Sequence, residues 1–113
     1  MSAPAPVQII QSHLDAFNAH DLSGVLALVS RNVVVRSNEI VDTGNDYARY
    51  ADTLEILFSR NPEVKAELLD RMALANVVID EIILSNLTAG TEHTITIYEI
   101  TAGLITSIRV ITE

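Results

Sequence analysis

The second half of the chain reads as four consecutive strands, and this run constrains the fold more than any other feature. After Pro62, four segments are rich in Ile, Val, Leu and Thr, residues that favour strands. They cover residues 64–75, 77–86, 92–100 and 104–112. Turn-prone residues such as Asn76 and Gly103 separate them. Because such short connections join antiparallel neighbours, the pattern predicts an antiparallel meander.

The first half of the chain predicts three helices and one short strand. The first helix presents one apolar face, formed by Val7, Ile10, Leu14 and Phe17. Asp21 can cap a short second helix. Asn32 to Ser37 reads as a strand. A capping box at Thr43–Asp46 opens the third helix, and Asn61 ends it because the residue before a proline disfavours helical geometry.

The order of these elements predicts one α+β domain. The 113 residues suffice for a single core, and 49% of them are hydrophobic. Segregated helices and antiparallel strands place the helices against one face of a curved sheet. We expect the domain to span residues 7–113. The small, Pro-rich residues 1–6 predict a flexible arm, and residues 38–45 predict a polar loop.

Charge and composition exclude several function classes. Seven Lys and Arg against fifteen Asp and Glu give a net charge of −8, which disfavours nucleic acids and anionic membranes as partners. No segment predicts a signal peptide or a membrane span. The absence of Cys removes thiolate chemistry and is typical of a cytoplasmic protein. Three scattered His and no Gly-rich phosphate loop predict neither a metal nor a cofactor.

Both faces of the predicted sheet carry large aliphatic residues. Ile95 and Ile97 lie on one face of their strand, opposite Thr96 and Tyr98. Ile105 in the last strand is predicted to lie on the same face as Ile95 and Ile97. Since the helices can cover only one face, the other predicts an interface, and a two-fold homodimer is the commonest arrangement. Alternatively, some of these strands are buried within one subunit.

Four stretches resemble the nuclear-transport-factor-2-like superfamily, which includes ketosteroid isomerases and SnoaL-like polyketide cyclases. They are LDAFNAHDL at 14–22, YADTL at 50–54, SIR at 107–109, and DRMALAN followed by VID across 70–80. The resemblance covers nearly the whole chain. It implies a cone-shaped barrel with three N-terminal helices packed on a strongly curved, mainly antiparallel sheet. It says less about activity, because this fold hosts isomerases, cyclases, epoxide hydrolases and non-catalytic modules.

The resemblance assigns site positions one at a time. The hydrogen-bond-donating tyrosine of ketosteroid isomerases corresponds to His13, and their supporting tyrosine corresponds to Tyr50. Their second donor, a protonated aspartic acid, falls near Thr96. Their aspartate base falls near Ser37, which cannot act as a base, so the usual steroid isomerisation is not expected. The epoxide-hydrolase pattern needs two acids flanking an arginine, and residues 80–83 supply no arginine.

Several candidate residues have a structural alternative. His13 could act as a base or donor, or could be a core histidine bonded to a carbonyl or to Tyr50. Asp70 and Asp80 each alternate in phase with apolar strand residues. The alternation does not show which of the two faces the pocket, because one bulge would move the following side chains to the opposite face of the sheet. Tyr98 could donate to a ligand or simply be buried against a helix.

The two remaining histidines have structural interpretations. His20 is interpreted as a solvated turn residue, and His93 as an interface residue on the outer sheet face.

These observations predict a mainly apolar pocket for a small hydrophobic, oxygen-bearing molecule. The predicted catalytic residues are His13, Tyr50 and Asp80, and the predicted ligand-binding residues are Tyr98, Thr96, Asp70, Ser37, Phe17 and Leu54. An enzyme of this kind would carry out cofactor-free proton transfer, as in isomerisation or cyclisation. The alternative is a non-catalytic dimeric module that binds ligands or mediates association.

Overall fold

The computed structural model describes residues 5–37 and 45–113. It contains three helices and five strands, in the order expected from the sequence. They are α1 (Pro6–Asn18), α2 (Leu22–Leu26), β1 (Val29–Arg36), α3 (Asp46–Arg60), β2 (Lys65–Leu74), β3 (Val77–Leu87), β4 (Gly90–Thr101) and β5 (Leu104–Thr112). Within these ranges, no helix is both long and apolar enough to cross a bilayer.

The five strands form one sheet in the order β1-β5-β4-β3-β2. The last four strands make the predicted antiparallel meander, and β1 joins its edge parallel to β5. β1 begins at Val29, three residues before the predicted Asn32, because Val29 is buried and already pairs with Ile105. The structure confirms the α+β class and the mainly antiparallel sheet.

The core lies between the helices and the inner face of the sheet. One cluster packs α1 against β1, β3, β4 and β5 through residues such as Ile9, Ile10, Val78 and Ile108. A second cluster joins α1, α2 and α3 through Phe17, Val25, Leu54 and Val64. The helices therefore cover one face of the sheet, as the sequence pattern indicates.

The start of α3 differs in detail from its prediction. The N-cap is Asn45, whose side chain accepts from the Ala48 amide, whereas the predicted cap Thr43 lies outside the described residues. The predicted polar loop lies there too, apart from Asn45, as do the first four residues of the predicted arm. The Asp46 carboxylate accepts from the Val35 amide at 2.9 Å and pairs with Arg49. These bonds, the Val35 bond foremost, lower the pKa of Asp46 and attach α3 to β1.

Two irregularities in the sheet change which side chains face inward. Leu68 pairs with Ile82 but Asp70 pairs with Glu81, so one extra residue sits on β2. Beyond this bulge the alternation reverses. Asp70 is consequently exposed, and Arg71 turns toward the inner side.

The second irregularity corrects the expected position of Ile105. Glu99 pairs with Ser107 while Ile100 pairs with Ile105, which leaves one extra residue on β5. Ile105 therefore faces inward and is fully buried in the core, so its assignment to the outer face was wrong. Ile95 and Ile97 keep their predicted outward phase, with Ile95 39% exposed and Ile97 half-buried.

The end of α1 is attached to the free edge of β2 by side chains. The Asn18 carboxamide accepts from the Ala66 amide at 2.7 Å and donates to the Ala66 carbonyl at 3.0 Å. His20 Nε2 donates to the Val64 carbonyl at 2.7 Å. Because β2 is an edge strand, these bonds satisfy backbone groups that the sheet leaves unpaired.

We expect Asn18→Ala to lower the free energy of unfolding by about 1–3 kcal/mol, because the part-buried Ala66 amide and carbonyl both lose their partner. Urea denaturation followed by circular dichroism measures the change. Ser12→Ala, at an exposed position of the same helix, is the control and should change stability little. Equal effects of the two substitutions would show that the Asn18 bonds do not hold α1 to the sheet.

Candidate functional site

A cavity of about 520 Å³ opens between α1, α3 and the inner face of the sheet. Its walls are mostly apolar and include Phe17, Leu54, Leu57, Ile82 and Leu84. Its polar groups come from four elements and include His13, Tyr50, Asp80, Thr96 and Tyr98. An apolar pocket with a few converging polar groups is the usual form of a small-molecule site.

His13 on α1 and Tyr50 on α3 form the central polar contact. Their side chains are hydrogen-bonded, with 2.8 Å between His13 Nε2 and Tyr50 Oη. The Tyr98 ring packs edge-on against the imidazole, with 5.5 Å between ring centroids. Burial lowers the pKa of His13 to about 4, although the charge of Asp80 acts in the opposite direction. Burial also raises the pKa of Tyr50, so both groups are neutral at pH 7.

This neutral pair has two hydrogen-bonding states. When the Tyr50 hydroxyl donates to His13 Nε2, Oη keeps its lone pairs and can accept from a ligand hydroxyl. When Nε2–H donates to Oη, the hydroxyl proton of Tyr50 is available to a ligand carbonyl. The two states differ in the imidazole tautomer and in the direction of the Tyr50 O–H bond. The pair can therefore serve either kind of ligand oxygen without placing a charge in an apolar cavity.

Asp80 on β3 is held by Arg71 on β2. Arg71 Nε and Nη2 donate to the two carboxylate oxygens at 2.6 and 2.9 Å, and Nη1 donates to Gln11 Oε1 at 2.9 Å. Asp80 is 1% exposed, so this bidentate pair keeps a buried carboxylate compensated. The bond to Asp80 raises the pKa of Arg71.

Sequence reasoning missed Arg71 as a cavity-side residue. Its strand phase pointed outward, and only the bulge after Leu68 brings it to Asp80. The sequence did contain one signal for such a residue. Asp80 lies among the inward-facing apolar residues of β3, and a buried carboxylate requires a cationic partner. In the epoxide-hydrolase pattern an arginine lies between two acids, whereas Arg71 lies between Asp80 and the Gln11 amide.

The structure brings together most of the predicted site residues. The ones that line the cavity are His13, Phe17, Tyr50, Leu54, Asp80, Thr96 and Tyr98. Two predictions are wrong. Asp70 is exposed on the outer side because of the β2 bulge, so Asp80 is the acid that faces the pocket. Ser37 is exposed just beyond the end of β1 and does not line the cavity.

The other two histidines lie away from the cavity lining. His20 is half-buried rather than solvated. Its ring stacks on Phe58 with 4.7 Å between centroids, and its Nε2 donates to the Val64 carbonyl. His93 lies on the outer face as expected and bonds Glu81 at 2.7 Å, which raises its pKa. In the part of the chain that the structure describes, no cluster of three metal-ligating side chains occurs.

The fold is that of the nuclear-transport-factor-2-like superfamily. Within it, residues 10–108 match the model of the SnoaL-like domain. This match covers most of the chain, which therefore belongs to the SnoaL-like domain family. No curated protein sequence matches the chain.

Solved structures share the fold at low sequence identity. An uncharacterised cystatin-fold protein from Novosphingobium aromaticivorans is 14% identical, with a TM-score of 0.81 over 96% of this chain and 98% of that one. IdmH from Streptomyces antibioticus, a candidate polyketide cyclase, is 14% identical, with a TM-score of 0.80 over 96% and 91%. An epoxide hydrolase of the LEH-like type from M. tuberculosis is 17% identical, with a TM-score of 0.78 over 96% and 82%.

We expect Arg71→Met to lower the free energy of unfolding by about 3–5 kcal/mol, because it leaves the Asp80 charge buried without its partner. The double substitution Arg71→Met with Asp80→Leu should recover most of this loss, since it removes both charges. Thermal and urea unfolding at pH 7 measure both. Arg109→Met, at an exposed position on β5, is the matched control. A loss no larger than that of the control would contradict a compensating role for Arg71.

Proposed function

We propose that the cavity binds a small, mainly apolar molecule through one of its oxygen atoms, and that the His13–Tyr50 pair contacts that oxygen. The supporting observation is the neutral, buried His13–Tyr50 hydrogen bond at the polar part of an open apolar cavity. Transfer of an apolar ligand from water into such a cavity is favourable. The ligand oxygen can form a hydrogen bond with the pair in either tautomer of His13.

We further propose that the site transfers a proton without a cofactor, in the manner of isomerases and cyclases. His13 accepts a proton from the carbon beside a ligand carbonyl through Nδ1, since Nε2 is bonded to Tyr50. The Tyr98 hydroxyl donates a hydrogen bond to the enolate oxygen that results. The negative charge of Asp80 stabilises the imidazolium formed in between. The proton then returns to carbon, and the candidate cyclase among the structural neighbours fits this class of chemistry.

Binding is tested with 4-phenylphenol and with 4-methylbiphenyl, which has a methyl group in place of the hydroxyl. We expect the wild type to bind the phenol about threefold to tenfold more tightly, the contribution of one hydrogen bond. His13→Ala should remove this preference, whereas Ser12→Ala, one residue away on the exposed side, should keep it. Fluorescence titration gives the dissociation constants. A His13→Ala protein that melts earlier but retains the preference would assign His13 a structural role.

Proton transfer is tested in the same proteins by deuterium exchange into 2-tetralone, followed by NMR in D₂O. We expect exchange above the buffer rate in the wild type and in Ser12→Ala, and its loss in His13→Ala. The base must be neutral, so the rate should stay level above pH 5 and fall as the pH decreases through the His13 pKa of about 4. Binding of 4-phenylphenol without any exchange would instead favour the non-catalytic module.

We also propose that a second copy of the chain covers the outer sheet face. Met72 pairs with Ile79, Ile79 pairs with Ile97, and Ile95 pairs with Ile111, which places five apolar side chains beside one another on this face. Met72 is 66% exposed and Ile111 40% exposed. Contiguous exposed aliphatic surface of this kind is typical of an interface, and two-fold pairing is the commonest way to bury it.

Sedimentation equilibrium tests this assembly. We expect the wild type to sediment at twice the 12.3 kDa chain mass, and Ile97→Asp to sediment as single chains because it places a charge in the apolar surface. Leu104→Asp introduces the same charge at an exposed position away from that surface and should remain paired. A wild type that sediments at the mass of one chain would rule out the homodimer.

A further inference from the structure

The cavity extends along α3, and this helix gives it a direction. Tyr50, Leu54, Leu57 and Arg60 all line the cavity, at the spacing of one helical face. Tyr50 and Arg60 are ten residues apart, so their Cα atoms lie about 15 Å apart along the helix axis. The cavity therefore has an inner end at the His13–Tyr50 pair and an outer end at the last turn of α3.

Arg60 is the one Lys or Arg among the described residues that line this cavity. It is exposed, and no ion pair joins it to any residue within 5–37 or 45–113. Its neighbour Asn61 is fully engaged, since its side chain donates to the Leu57 carbonyl and accepts from the Thr88 amide at 2.7 Å. Asn61 thus fixes the β3–β4 turn against the helix end and leaves Arg60 as the cationic group at the outer end.

The acids near the cavity leave this cation uncompensated. Asp80 already forms an ion pair with Arg71 at the inner end. Glu92, which also lines the cavity, is half-buried on β4 and accepts from Thr112 Oγ1 at 3.4 Å. It forms no ion pair with Arg60 in the described structure. A long guanidinium side chain with no partner carboxylate matches the geometry of an incoming carboxylate.

We propose that the ligand is amphipathic in a defined sense: an apolar body with a neutral oxygen at one end and a carboxylate at the other. The neutral oxygen meets His13 and Tyr50, and the carboxylate meets Arg60. Because the Tyr50 and Arg60 side chains both lean toward the helix N-terminus, the axial distance of about 15 Å between their Cα atoms gives the scale of this separation. This inference rests on the proposed function, since it assumes that His13 and Tyr50 hold the first oxygen.

Three probes with one shape and different charges test the inference. They are 4'-hydroxybiphenyl-4-carboxylate, its uncharged 4-carboxamide, and the cationic 4'-(aminomethyl)biphenyl-4-ol. We expect the wild type to prefer the carboxylate over the carboxamide by about threefold to tenfold at low salt, and the amine to bind most weakly. Added NaCl should reduce the preference because the contact is exposed.

Substitutions assign the preference to one residue. Arg60→Gln should make the carboxylate and the carboxamide bind equally while leaving 4-phenylphenol unchanged. Arg36→Gln is the matched control, because it removes the same charge from an exposed residue that does not line the cavity. Glu92→Gln should raise carboxylate affinity slightly, since it removes the acid from the outer end.

The outcomes separate this inference from the proposed function. Binding of 4-phenylphenol with equal affinity for carboxylate and carboxamide would overturn the inference and leave the proposed function standing. Tightest binding of the amine, lost in Glu92→Gln, would replace the anionic ligand by a cationic one. A preference that survives in Arg60→Gln would exclude Arg60 as its source. If no biphenyl probe binds, both proposals fail together.

Discussion

The polar part of the cavity depends on the burial of one carboxylate. Asp80 is almost completely removed from solvent, and a charge in that position is tolerated only with a well-placed partner. Arg71 meets this requirement with two hydrogen bonds, and Gln11 on α1 fixes the third guanidinium nitrogen. The contact thus connects β2, β3 and α1. It also holds a negative charge near His13, where it partly offsets the effect of burial on the imidazole pKa.

Much of the fold could be predicted because hydrophobic periodicity is a local signal. The helices around Phe17 and Leu54 and the meander after Pro62 follow from spacing and turn chemistry alone. The two bulges could not be predicted in this way. A bulge is set by pairing with the neighbouring strand, so the residues before and after Leu69 look continuous in sequence although they face opposite sides.

The same reason explains which site residues were found. His13 and Tyr50 lie on helices, where a face follows from spacing, and the family resemblance supplied their pairing. Asp80 and Arg71 lie on strands, and the one-residue bulge in β2 determines which acidic and which cationic side chains face inward. Ser37 was placed by counting from family positions, and it lies beyond the end of β1, where the strand no longer directs its side chain toward the sheet interior.

A neutral His–Tyr pair determines what the cavity can select. It tolerates either a hydroxyl or a carbonyl, so it fixes the position of a ligand oxygen without choosing between these two groups. The apolar walls contribute affinity in proportion to buried area and discriminate weakly among ligands of similar size. Discrimination between ligands must therefore come from groups whose burial or charge is costly to leave unpaired. Among the described residues that line the cavity, the buried His13–Tyr50 pair and the Arg60 guanidinium lie at the two ends of the α3 face. In the ligand that we propose, the distance between these ends sets the length of molecule that can contact both.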